Sequence, residues 1–238
     1  MKIDYNLQFN KNNKLQHFLN IENLSKEHIN EIIDLADKYI KNESNKFKDL
    51  EGKTIASLFF EPSTRTKTTF ELASKRLSAD FINIDIANSS ALKGESILDM
   101  IKTLEAMECD MFIVRHSSSG TPHYIAKEVG KKISVINAGD GIHAHPTQAM
   151  LDMYTIKKHK GSFENLNVSI VGDILHSRVA KSLIASLKIF SVKNINIIGP
   201  KNLMPENIKK LGVNYFSNLE NGINNADAII MLRLQQER

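Results

Sequence analysis

The 238-residue sequence predicts an α/β protein with two domains, each a parallel sheet flanked by helices. Three observations lead there. Short β-branched runs alternate with amphipathic helical patterns from end to end, as strand–helix–strand units require. The alternation pauses in a polar loop around Gly139-Asp140-Gly141 and restarts as a second series, which predicts two domains joined near residues 146–160 with a crevice between them. Hydrophobic residues make up 42% and charged residues 24%, ordinary values for a globular chain with substantial cores.

The elements follow in order. Ser25 is placed to cap a first helix in which Ile29, Ile32, Ile33, Ala36 and Ile40 fall at helical spacing, with Leu24 and Ile29 as a hydrophobic staple. Ile55–Phe60 reads as a strand, Thr68–Leu77 as a helix and Phe81–Ile86 as a second strand. After Glu95, Ile97, Met100, Ile101 and Leu104 share one helical face. The remaining strands are predicted at Met111–Val114, Ile133–Ile136, Val168–Val171, Ile195–Ile198 and Ala228–Leu232. Helical patterns separate most of them, near Pro122–Val129, Gln148–Ile156, Val179–Phe190, Pro205–Leu211 and Asn218–Asn225.

Several function classes are set aside at this level. Net charge is +4 and the lysines are scattered, without the basic stripe or module that nucleic acid demands. No apolar run has the length of a membrane span, and the polar N-terminus has no signal-peptide core, so the protein is expected in the cytoplasm. The one cysteine, Cys109, precedes a strand and is expected to pack; it has no partner for an internal disulfide. His143 and His145 stand two residues apart with no carboxylate or cysteine at ligand spacing, so no metal is predicted. The turn at Gly139–Gly141 is too weak a signal for a dinucleotide site, and the chain contains no Walker A loop. No cofactor is called for.

The stretch FFEPSTRTKTTFELASKRL, 59–77, carries the strongest chemical signal. Between a strand and a helix stand Ser63, Thr64, Arg65 and Thr66. A helix N-terminus offers unpaired N–H groups and a partial positive charge, and the hydroxyls and guanidinium add donors suited to phosphate or carboxylate. Capping alone accounts for one or two hydroxyls, not for three around an arginine.

This stretch resembles the carbamoyl-phosphate signature of the aspartate and ornithine carbamoyltransferases. The resemblance continues in the same order through NSSALKGES (88–96), VRHSSSG (114–120), HAHPTQAMLDMYTI (143–156), VGDILHSRVAKSL (171–183) and ADAIIMLRLQQER (226–238). It implies that residues 1–147 form a carbamoyl-phosphate-binding domain and 148–238 an aspartate-binding domain. Family chains continue past the segment that ends here at Arg238, so the second domain is expected to be incomplete, with an apolar strand edge at Ala228–Leu232.

The resemblance also implies roles. Ser63, Thr64, Arg65 and Thr66 bind the phosphate, and Arg115 bridges phosphate and carbonyl oxygen. His145 donates to that oxygen and Gln148 contacts the carbamoyl NH2. Ser89 and Lys93 belong to a loop that enters a neighbouring subunit's site, which implies a homotrimer with shared active sites; regulatory chains are a further candidate partner. Arg178, Arg233 and Gln235, with Lys93, hold the carboxylates of L-aspartate. His116 and His143 are expected to have no direct role. Lys93 and the tail LRLQQER favour aspartate over ornithine as acceptor. The alternatives are an ornithine or other amino-acid carbamoyltransferase, and a truncated chain that binds carbamoyl phosphate without turnover.

Overall fold

A computed structural model gives the fold and describes residues 5–42, 46–86 and 96–233. The chain divides into two compact units, Met1–Asn23 with Asp34–Ala144, and Leu24–Ile33 with His145–Arg238.

The first unit holds strands β1 (Thr54–Phe59), β2 (Asp80–Ile84), β3 (Met111–His116) and β4 (Ser134–Asp140), all parallel, in the order β2-β1-β3-β4. Helices α2 (Thr64–Arg76), α3 (Ile97–Ala106) and α4 (Thr121–Glu128) make the crossovers. The period of two along the strands divides two cores between the sheet's faces. Ala56, Leu58, Phe112, Val114 and Val135 pack with Met100, Ile101 and Leu104 of α3 and Ile125 of α4. Ile55, Ile113 and Ala138 form the opposite core, against Phe70 of α2 and Phe81. Cys109 is buried in the first of these, and burial pushes its thiol pKa up, as befits a packing residue.

The second unit has β5 (Asn167–Val171), β6 (Asn194–Ile198), β7 (Asn214–Phe216) and β8 (Ala228–Met231), again parallel, in the order β7-β6-β5-β8. Helices α5 (Pro146–Lys160), α6 (Arg178–Ile189), α7 (Ile208–Leu211) and α8 (Leu219–Ile223) accompany them. Met153 and Ile156 of α5, Leu183 and Leu187 of α6, and Val168, Ile170 and Ile197 of the strands are buried. On β8, Ile229 and Met231 are exposed at 48% and 69%, so this edge carries apolar side chains as expected. Helix α1 (Lys26–Lys41) begins where predicted: the His28 N–H points to Ser25 Oγ at 3.4 Å, and Leu24 and Ile29 are both buried.

Three expectations shift. Helix α2 starts at Thr64 rather than Thr68, because its first turn is rich in threonine and carries no apolar period; the periodic signal begins only at Phe70. Strand β7, three residues long and half polar, escaped the pattern reading. Helices α7 and α8 are shorter than their patterns suggested. Among the described residues no helix is long and apolar enough to cross a membrane.

Candidate active site

In the first sheet, β1→β2 runs one way and β3→β4 the other, so the crossovers diverge from the β1/β3 pair. The carboxyl ends of such a pair are where open α/β sheets leave a crevice for ligands. The bend at 61–63 follows β1, and the loop 116–120 follows β3. Register fixes Arg115 beside the bend: it is the partner of Phe59, and the Phe60 N–H donates to its carbonyl at 2.8 Å.

At the bend, Ser63 occupies the N-cap position of α2 with an extended backbone, but its side chain makes no capping hydrogen bond. Thr64, Arg65 and Thr66 form the first turn, which contains no acidic residue. Capping therefore does not account for these hydroxyls, and the first-turn N–H groups keep their capacity to bind an anion. Arg65 is exposed and pairs with no acidic side chain among the described residues; its carbonyl accepts the Thr69 hydroxyl at 2.8 Å. A cleft of about 540 Å³ opens here, bordered by Glu61, Ser63, Thr64, Lys67 and Asp85.

Arg115 is only 14% exposed and Glu61 16%; Arg115 Nε lies 2.8 Å from Glu61 Oε1, and its Nη1 donates to the Ala138 carbonyl at 3.2 Å. The Nε approach lacks hydrogen-bond alignment, so this contact is chiefly ionic. Glu61 thus holds the guanidinium at the end of β3, a partner that the sequence reading did not single out.

The loop after β3 is tied to the turn after β4. Asp140, fully buried, accepts the Gly120 N–H at 2.7 Å through Oδ1 and faces His143 Nδ1 at 2.9 Å through Oδ2. Gly141 has φ +50°, and a Cβ there would collide with Ser119, so a glycine is needed for this close approach. His116 accepts the Ser118 N–H at 2.8 Å; burial lowers its pKa against the opposing pull of the Asp140 and Glu61 charges. His116 and His143 thus shape the loop.

In the second unit, His145 is the N-cap residue of α5, followed by Pro146, whose missing N–H costs nothing at that position. Its backbone N–H donates to Ser182 Oγ of α6 at 2.9 Å, and both residues are buried. Thr147 Oγ1 stands 3.3 Å from His145 Nδ1. With that hydroxyl as donor, the ring proton sits on Nε2. One turn along the same helix, Gln148 Nε2 donates to Asp152 Oδ1 at 3.0 Å.

In the second sheet β5, β6 and β7 follow one another to one side, and β8 returns to pair, again parallel, on the other side of β5. Arg178 is buried at the start of α6, next to the N-cap Ser177, whose hydroxyl accepts the Ala180 N–H at 3.1 Å. Asp173, also buried, accepts the His176 N–H at 3.1 Å and rigidifies the connection from β5 to Arg178. Arg233 follows β8 and is exposed. The exits of both strands touch: the Leu232 N–H donates to Val171 at 2.8 Å, and at Gly172, with φ +124°, a Cβ would come within 3.0 Å of the Leu232 carbonyl oxygen. Both arginines thus belong to segments leaving the carboxyl edge of one strand pair.

Ser89, Lys93 and Gln235 lie outside the described residues. Of the predicted residues, the first unit carries Ser63, Thr64, Arg65, Thr66 and Arg115; the second carries His145, Gln148, Arg178 and Arg233. Glu61, Ser182 and Asp152 were not anticipated. Each lay inside a motif already quoted, but their partnerships depend on tertiary pairing or side-chain direction that a motif does not encode.

The family model for the aspartate/ornithine carbamoyltransferase carbamoyl-P binding domain matches residues 16–158. The chain belongs to this family. It is accordingly a carbamoyltransferase enzyme, and the solved structures it is similar to are relatives of the same kind. One is the aspartate transcarbamoylase of Trypanosoma cruzi in complex with carbamoyl aspartate and phosphate, 30% identical, with a TM-score of 0.85 over 94% of this chain and 76% of that one. Another, from the same organism with carbamoyl phosphate and aspartate, is 29% identical, with a TM-score of 0.86 over 94% and 73%. The catalytic subunit of M. jannaschii aspartate transcarbamoylase is 34% identical, with a TM-score of 0.82 over 94% and 76%. The carbamoyltransferase fold, two parallel sheets flanked by helices, is common to them all.

Proposed function

We propose that this carbamoyltransferase uses L-aspartate as acceptor and forms N-carbamoyl-L-aspartate and phosphate, a step in making pyrimidines. The observation that carries the acceptor reading is the pair Arg178 and Arg233 at the carboxyl edge of β5 and β8. Two guanidinium groups suit a dicarboxylic amino acid and repel the cationic side chain of ornithine. The similarity to aspartate transcarbamoylases adds support.

In this reading the phosphate of carbamoyl phosphate sits on the first turn of α2, held by Ser63, Thr64, Arg65 and Thr66, with Arg115 on phosphate and carbonyl oxygen. His145 donates to the same carbonyl and Gln148 meets the NH2. The α-amino group of aspartate attacks the carbonyl carbon; a tetrahedral oxyanion forms, and its collapse expels phosphate, which takes up the amine proton. Thr66, Arg115 and His145 stabilise the oxyanion, and removing one such donor typically raises a barrier by about 2.7–4 kcal/mol. Gln235 joins the arginines on the aspartate carboxylates. Ser89 and Lys93 act in a neighbouring subunit's site, so the working form is a cytoplasmic homotrimer, with regulatory chains as a further partner. Residues 1–147 serve carbamoyl phosphate and 148–238 aspartate.

A carbamoyl-transfer assay with L-aspartate and L-ornithine as rival acceptors tests this. Carbamoyl-aspartate as the product is expected. Turnover with ornithine alone overturns the reading of Arg178 and Arg233, and carbamoyl phosphate binding without turnover favours a non-catalytic chain.

A further inference from the structure

We propose that Asp152 is a positioning residue that sets the carbamoyl selectivity of this enzyme: it locks the Gln148 side-chain amide with its oxygen turned toward the substrate. The inference rests on the reading above, in which Gln148 meets the carbamoyl NH2.

Gln148 and Asp152 stand one turn apart on α5, the spacing that brings two side chains together on one helix face. A glutamine amide carries two donors at one end and an acceptor at the other, and the two ends have nearly the same shape. Left alone, it presents either end. The incoming carbamoyl group is a donor at NH2, so only the amide oxygen suits it; the nitrogen end sets donor against donor. An ionised carboxylate only accepts, and Asp152 Oδ1 takes Gln148 Nε2 at 3.0 Å. The acceptor end of Gln148 then faces away from Asp152.

Asp152 is ill suited to a purely structural role. Its Oδ2 is buried and has no hydrogen-bond partner among the described residues. Burial raises its carboxyl pKa, and the Gln148 bond is what opposes that rise. A carboxylate poorly solvated and bonded on one oxygen destabilises a helix face that an apolar side chain would fill more comfortably. Its one partner among the described residues is the glutamine, so its effect passes through Gln148.

Acetyl phosphate isolates this effect, because it keeps the phosphate and carbonyl and replaces NH2 by CH3. Inorganic phosphate lacks both the carbonyl and the NH2. In Asp152→Leu, the KM for carbamoyl phosphate should rise roughly tenfold, the loss of about one well-placed hydrogen bond. The inhibition constant of acetyl phosphate and the dissociation constant of inorganic phosphate should stay unchanged. Gln148→Ala should give the same loss of selectivity, and adding Asp152→Leu to it should change nothing more. Asp152→Asn keeps the volume and offers both donor and acceptor, so an intermediate loss of about threefold is expected; it carries the test should the leucine variant not fold. Equal weakening of all three ligands, no change in selectivity, or a full Asp152 effect persisting without Gln148 would overturn the proposal. A wild-type chain that neither binds nor transfers the carbamoyl group overturns the proposed function itself, and this inference with it.

Discussion

Glu61→Gln separates the two things Glu61 does to Arg115: neutralising it and competing for it. Both side chains are mostly buried, and the charges lie within about 4 Å, so their attraction is about 4 kcal/mol at the effective dielectric of a protein surface. Desolvation of two buried charges offsets half or more of that, leaving about 1–2 kcal/mol of net stability. Glutamine keeps the shape and removes the charge. The variant should therefore melt about 2–8 °C lower, given the usual 2–4 °C per kcal/mol for a chain of this size. The same term acts in reverse on ligand binding. If a phosphate must draw Arg115 away from Glu61, removing the carboxylate's charge should tighten inorganic phosphate binding by about tenfold. Calorimetric titration with phosphate at constant ionic strength, beside a melting curve, reads both. A lower melting temperature with unchanged or weaker phosphate binding would refute the argument, because Arg115 would then be a structural cation and not part of the anion site.

Three further outcomes are expected. Arg65→Ala should weaken carbamoyl phosphate binding by about a hundredfold, since a bidentate charged contact is lost, while leaving the melting point almost unmoved because the side chain is exposed; unchanged affinity in a titration removes the assignment. Ser182→Ala leaves the buried His145 N–H without its acceptor and should cost about 1–3 kcal/mol in urea unfolding, with a lower kcat; an unaltered transition midpoint and rate would mean that His145 is held by other contacts. His17, buried and accepting the Val135 N–H, has its pKa lowered to about 4 by desolvation. The unfolded chain binds a proton there first, so about 3 kcal/mol of stability present above pH 6.5 should fade as pH falls toward 4. His17→Asn should flatten that stretch of the stability–pH curve, and an unchanged acid limb would show that other groups set it.

The fold was legible because strands and helices carry different periods and this chain keeps them apart. Met100, Ile101 and Leu104, or Ile113 between Phe112 and Val114, announce their faces without help from the rest of the chain. Where helix α2 begins was not legible, because Thr64, Thr66 and Thr68 are poor helix formers without an apolar period, so that period starts a turn late. Strand β7 was too short and too polar to register. The candidate site was readable as residue types at the carboxyl ends of strands, which parallel topology converts into shared edges. Its supporting contacts were not. Glu61 meets Arg115 only because β1 and β3 are neighbours in register, and Ser182 meets His145 only because α5 and α6 pack side by side.

The bare end of α2 has a thermodynamic consequence. A helix whose N-cap serine declines to cap is an element left unfinished, and in the proposed reading an anion seated on its first turn would supply the missing hydrogen bonds from outside the chain. Ligand then acts as a component of the secondary structure. Amide hydrogens at 64–67 should exchange far more slowly when phosphate is present, and the whole chain should gain about 2.7 kcal/mol at a hundred times the dissociation constant. On that reading heat and phosphate are opposing titrants of one turn of helix, and a series of melting curves across phosphate concentration should double as a binding isotherm.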